Sequence, residues 1–158
     1  MSKFMVHPIG KVHSNENGTF IKVEEKYIPA LQALEGFSHI NVIWWFSDFD
    51  DEQSRSVLQT EQPYKGAPDV MGIFATRSPM RPNPIALTTS EVIHIDNEKG
   101  IIQIAFIDSN DNSPVLDIKP YTPSLDRVEK SGVPTWCSHW PKSTEEAASF
   151  AWEKEFNF

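Results

Sequence analysis

Residues Val70 to Glu91 read VMGIFATRSPMRPNPIALTTSE. An apolar run, Val70 to Phe74, breaks at Thr76-Arg77-Ser78-Pro79, continues through Arg81-Pro82-Asn83-Pro84 and resumes as Ile85-Ala86-Leu87. Pro79, Pro82 and Pro84 fall within six residues. Proline supplies no N–H and fixes φ, so this segment fits neither a helix interior nor a paired central strand. The expectation is a stiff, irregular segment between two strands, about 70–76 and 85–95. Arg77 and Arg81 stand on it. A rigid loop at strand ends that carries charge is either a binding site or a proline-rich turn with solvated arginines.

Working outward, Asp96-Asn97-Glu98-Lys99-Gly100 turns the chain and Ile101 to Ile107 returns as an antiparallel partner. Asp108 to Pro114 is a polar loop, Val115 to Ile118 a brief strand, and Lys119-Pro120-Tyr121 its end. On the N-terminal side, SHINVIWWF (Ser38 to Phe46) is rich in β-branched and aromatic residues and reads as a buried strand. Trp44 and Trp45, being adjacent, point to opposite faces of it. Phe4 to Val12 reads as a first strand interrupted at Pro8, Asn17-Gly18 as a hairpin turn, and Thr19 to Glu24 as an alternating strand. Tyr27 to Leu34 reads as a short helix, Asp48 to Gln62 is ambiguous with a possible strand at Val57-Leu58, and Ser143 caps a last helix over about 144–155. Many short strands and few helices give a mainly β fold, sandwich or barrel.

The 158 residues suit one domain. No apolar run approaches the roughly 20 residues that span a bilayer, and MSKFMVHPIG lacks a signal-peptide core. A single cysteine, Cys137, excludes an internal disulfide and fits a reducing, cytoplasmic setting. The net charge of −8 argues against a protein whose main task is gripping phosphate backbones, so a nucleic-acid contact must come from a local patch. Twelve prolines against seven glycines point to stiff connections.

No glycine-rich phosphate loop is present, which disfavours a nucleotide-binding doubly wound sheet. His7, His13, His39, His94 and His139 form no paired ligand motif, and Cys137 with His139 stands alone, so no metal is expected. Two polar loops remain: Thr76 to Pro84, and Asp108 to Tyr121 with Asp111, Asn112, Ser113, Asp117, Lys119 and Tyr121. One hairpin links them, so they can meet at one rim.

The run Gly72 to Leu87 and the run Ser113-Pro114-Val115-Leu116-Asp117-Ile118-Lys119-Pro120-Tyr121 resemble the signatures of the TsaA/TrmO family. Leu34-Glu35-Gly36-Phe37-Ser38-His39 with Trp45-Phe46, and Pro8-Ile9-Gly10, match two further blocks in the same order, over about 4–135. The resemblance implies a closed β-barrel with short peripheral helices, followed by a C-terminal extension over 136–158. It also implies a homodimer, S-adenosylmethionine as cofactor, and methyl transfer to N6 of threonylcarbamoyladenosine in tRNA. By the same resemblance, cofactor contacts fall on Ser47, Asp48, Arg77, Leu87, Asp111, Asn112, Ser113 and Pro114.

Three positions depart from the family. An early Pro-Arg-Gln element is replaced by the short turn Asn15 to Gly18, Ser47 stands where histidine is usual, and Asp111-Asn112-Ser113-Pro114 replaces Asp-Gly-Thr-Pro. Asn112 suits the glycine position because asparagine also enters the left-handed region. The extra C-terminal domain of some members has no counterpart in the sequence. A sulfonium is positive, so Arg77 is assigned to the carboxylate of the cofactor or to an anionic substrate group. Arg81, Asn83 and Lys119 are the candidate substrate contacts. Asp117, Tyr121 and Lys119 are the candidate catalytic residues, Asp117 and Tyr121 being the nearby acid/base types. A binding module without catalysis, and a methyltransferase for another acceptor, are the alternative readings.

Overall fold

A computed structural model describes residues 3–158. Its centre is the strand expected from the SHINVIWWF run. β3, His39–Trp45, alternates strictly: Ile40, Val42 and Trp44 are buried, while His39, Asn41, Ile43 and Trp45 face outward and are partly exposed. The two adjacent tryptophans therefore do opposite things. Trp44 lies in the core with its indole N–H donated to Thr88 Oγ1 at 3.0 Å, and Trp45 reaches out to Asp50 at 3.1 Å.

Six strands close into one barrel. With β1 Gly10–Asn15, β2 Gly18–Val23, β6 Ile85–Asp96, β7 Ile101–Ile104 and β8 Pro114–Pro120, the order around it is β1-β2-β7-β6-β3-β8, and β8 pairs back onto β1. Closure leaves the barrel sheet with no edge strand. Val12, Ile21, Ile40, Val42, Ile102 and Val115 fill the interior with no measurable exposure. Gly10 is required where β1 crosses β2, because a Cβ there would run into the Lys22 carbonyl. The twelve-residue β6 serves two partners. It pairs with β3 through Glu91 and with β7 from Val92, and its register shifts between Val92 and His94.

Several expectations need correction. The first strand begins at Gly10, not Phe4; Phe4 and Met5 are exposed. Only Ile9 is tied in that stretch, donating to Val115 O and accepting from Glu24 N. The strand expected at 70–76 is only β5, Val70–Gly72, and it lies outside the barrel, paired with β4, Gln59–Glu61. Ile73–Ala75 turns as a single 3-10 helix instead. The short strand expected at Val57-Leu58 is displaced to β4. The helix expected at Tyr27–Leu34 is a 3-10 helix over Glu25–Leu31, with Leu31 buried under the barrel mouth and Pro29 withholding an N–H inside it.

The C-terminal helix also shortens. Ser143 caps it as expected, accepting from Glu146 N at 3.2 Å, but α3 covers only Thr144–Ala147. Trp152 and Phe156 are drawn into an aromatic cluster, where they stack at 6.0 Å, and Phe156 bridges back to Tyr64. That packing outweighs helix propensity in a segment this short. No helix among the described residues is long and apolar enough to cross a membrane.

Candidate functional site

The proline-arginine segment is braced from within. Thr76 is buried; its hydroxyl donates to Ile73 O at 2.8 Å and accepts from Ser78 N at 3.2 Å. The guanidinium of Arg81 then spans the loop. Nε donates to Ser78 O at 2.8 Å, and Nη2 donates to Thr76 O at 2.6 Å and Ile73 O at 3.1 Å. A planar fork with fixed donors suits this task, which an ammonium cannot do. The end of the loop is fixed by Phe46 N donating to Pro84 O at 2.8 Å. Asn83 accepts from Arg55 at 3.3 Å, and Arg55 is itself paired to Asp50 at 2.6 Å.

Arg77 is different. It is exposed, and its one hydrogen bond runs to Leu87 O at 3.3 Å. Among the described residues no carboxylate lies within ion-pair reach of Arg77 or Arg81. Of the two arginines, one holds the loop and the other is left with donors to spare.

The second loop divides. Asp108 lines the same cleft as Arg77 and Arg81, so the two loops meet there. Residues 110–113 turn instead toward β1 and the end of β3. Asn110 donates to Asp48 at 2.5 Å, which brings Ser47 and Asp48 beside this loop. Asp111 accepts from Ser14 N at 3.1 Å. Asn112 sits at φ 67°, the left-handed conformation expected of it, and donates its N–H to Val12 O at 2.8 Å. Ser113 is buried, and Pro114 opens β8.

Asp117 and Lys119 lie further along β8, paired at 2.7 Å, and the Asp117 carboxylate holds the ammonium above its usual range. The register sets Leu87, Ile43 and Asp117 side by side on the outer face. Two strand spacings separate Leu87 from Asp117, about 10 Å. Tyr121 is beyond the strand end, edge-on to His39 at 6.2 Å. The structure thus brings Arg77 to Leu87, Asp48 to the 110–113 loop, and Asp117 to the row of Leu87. It does not gather Tyr121 with the arginine loop.

Between the arginine loop and the C-terminal segment is a cleft of about 1180 Å³. The sequence reading missed its aromatic lining: Phe74, Phe106, Tyr64, Trp136, Trp140 and Trp152. The available signal was the density of tryptophan and phenylalanine after residue 135. Among the described residues no three His, Cys, Asp or Glu side chains cluster as a metal site would require.

Residues 3–127 match the model of the tRNA-methyltransferase O N-terminal domain. The chain belongs to that family. It is 36% identical over 110 residues to an S-adenosyl-L-methionine-binding protein of Archaeoglobus fulgidus, covering 70% of this chain and 73% of that one. It is 33% identical over 128 residues to the tRNA (adenine(37)-N6)-methyltransferase of Escherichia coli, covering 80% of this chain and 53% of that enzyme. The crystal structure of TrmO from P. aeruginosa superposes with a TM-score of 0.65 at 26% identity, over 85% of this chain and 62% of that one. This TrmO-family chain therefore spans less than two thirds of those two longer relatives. This chain's closed six-stranded barrel lies within the fold it shares with the P. aeruginosa structure. Residues 128–158, which supply Trp136, Trp140 and Trp152 to the cleft, lie beyond the matched domain.

Proposed function

We propose that this chain is an S-adenosylmethionine-dependent methyltransferase that acts on N6 of threonylcarbamoyladenosine in tRNA. The observation that carries the reading is the division of labour between the arginines: Arg81 stiffens the loop through three carbonyls, and Arg77 is held out without an acidic partner. Membership of the family supports the cofactor and the tRNA class of substrate.

The donor set fits the cofactor's chemistry. When bound, S-adenosylmethionine supplies an electrophilic methyl group on a positively charged sulfur. Arg77 would take its carboxylate through paired N–H donors. Asp48 and Asp111, with Ser47, Asn112, Ser113, Pro114 and the backbone at Leu87, offer carboxylates, hydroxyls and carbonyls to its ammonium and ribose groups. Preordering Arg77 on a stiff loop lowers the entropy lost on binding.

Asp117 is the residue suited to orient the accepting nitrogen or take its proton, and Lys119 is paired to it at 2.7 Å. Lys119 and Asn83 stand as contacts to the substrate, and Tyr121, the other acid/base candidate, lies beyond the end of β8 beside His39; the Arg81 charge acts there only at a distance, since its donors serve the loop. The outer row also carries apolar surface, Leu87 being 50% exposed and Ile85 44%. That apolar surface supports a homodimer. We read residues 1–158 as one domain acting in the cytoplasm, where tRNA is modified.

The test is incubation with labelled S-adenosylmethionine and bulk tRNA, followed by digestion to nucleosides. Label in the methylated threonylcarbamoyl nucleoside is the expected result. Cofactor binding without transfer favours a second reading, a non-catalytic S-adenosylmethionine-binding module, to which the net charge of −8 lends weight. Label in another nucleoside identifies a different acceptor, and absence of cofactor binding defeats all of these readings.

A further inference from the structure

The aromatic cleft is built from two halves. On the barrel side, Phe74 is 82% exposed and Phe106 65% exposed. Neither is loose. Phe74 lies in the 3-10 turn Ile73–Ala75, which is closed by Thr76 N and Oγ1 on Ile73 O, and Phe106 donates its N–H to Ser90 Oγ at 3.2 Å. Large aromatic rings held open on fixed backbone mark a contact surface rather than core.

On the opposite side the rings fix one another. Tyr64 stacks on Trp136 at 5.7 Å and 12°, and Trp140 meets Trp136 and Trp152 edge-on at 5.3 and 5.2 Å. Trp140 Nε1 donates to Glu155 at 3.1 Å and Trp152 Nε1 to Ala147 O at 3.1 Å. The charged lining is Arg77, Arg81 and Asp108: two positive groups against one negative, a net of +1 in a chain of net −8.

An acidic chain with a locally positive, aromatic-walled cleft suits one class of occupant. A duplex offers mainly phosphates and would be repelled by the overall charge. An unpaired nucleobase offers two aromatic faces, and stacking on side chains holds it with few phosphate contacts. We propose that this cleft binds an unpaired nucleobase of the RNA substrate, stacked on Phe106 and Phe74 and backed by the C-terminal aromatic wall. The inference rests on the tRNA reading above and assigns to residues 134–158 a part in gripping that RNA. It sets the base next to Arg77, the proposed anchor of the cofactor.

The test measures anisotropy of a labelled RNA hairpin with unpaired adenosine in its loop, using the full chain. Both phenylalanines are exposed, so their substitution leaves the core intact. Phe106→Leu and Phe74→Leu keep apolar bulk but lose the aromatic face; each is expected to weaken hairpin binding by about 5- to 150-fold. Phe106→Tyr is expected to retain it. S-adenosylmethionine affinity, read by calorimetry, stays unchanged in all three. Loss of cofactor affinity with hairpin affinity intact overturns the proposal, because the occupant is then the cofactor's adenine. Duplex RNA bound as tightly as the hairpin overturns it as well. A wild-type chain that neither binds nor methylates tRNA defeats the tRNA reading and the cleft together. Methyl transfer to tRNA that survives both leucine variants with unaltered KM defeats the cleft alone.

Discussion

Arg81 Nη2 donates to the Thr76 carbonyl at 2.6 Å, so a charged side chain holds the backbone that carries its neighbour Arg77. Arg81→Lys keeps the charge and removes the fork. Charge-assisted bonds of this kind contribute about 2 kcal/mol, which for a chain of this size is roughly 4–8 °C in Tm. Thermal unfolding followed by circular dichroism should show that loss, and calorimetry a weaker S-adenosylmethionine complex. An unchanged Tm would remove Arg81 from this role.

Arg77→Ala should give the opposite pattern. The side chain is exposed and makes one long hydrogen bond, so stability stays within about 0.5 kcal/mol of the parent. Losing a charged anchor for the cofactor carboxylate weakens binding by at least about tenfold. Calorimetry that finds full affinity would sink the assignment.

Asp117→Asn preserves shape and removes the proposed proton acceptor. Turnover should fall by about 10²- to 10⁴-fold while cofactor affinity holds. Single-turnover methylation of tRNA separates the two quantities, and full turnover would take Asp117 out of the mechanism.

Asn112 occupies the left-handed region at φ 67°. Asn112→Gly is expected to leave cofactor affinity intact. Asn112→Val forces a β-branched residue into that conformation at a cost of about 1–2 kcal/mol. The loop it distorts borders Asp48 and Val12, so weaker cofactor binding should accompany the lower Tm.

Glu155 ties down the C-terminal aromatic wall. Hydrogen bonds from His139 at 2.8 Å and from Trp140 hold its carboxyl below the usual range. A carboxyl with a lower pKa folded than unfolded adds stability above the unfolded value. That contribution is lost as pH falls through the lower folded value. Tryptophan fluorescence should therefore report loosening of residues 134–158 as pH falls through and below the ordinary carboxyl range. Glu155→Gln should be less stable at neutral pH and should lose less on acidification; equal acid sensitivity would contradict this.

Much of the barrel was legible in the chain itself. The run Ser38 to Phe46 announced β3 as a strand, and the turn at Asp96 to Gly100 set the β6–β7 hairpin, because both depend on neighbours a few residues apart; which tryptophan of β3 enters the core came from the fold. The prolines between Pro79 and Pro84 likewise announced a stiff segment, and Asn112 its left-handed turn. Local covalent geometry sufficed for these. Tertiary structure alone decided which arginine is free, since that depends on whether the carbonyls of Ile73, Thr76 and Ser78 come within reach of Arg81. It also decided that the C-terminal helix stops after Ala147 and that its aromatic residues wall a cleft with Phe74 and Phe106. Helix propensity is local and weak, whereas the packing of Trp136, Trp140 and Phe156 around Tyr64 joins residues some seventy to ninety positions apart, which no periodicity in the sequence records.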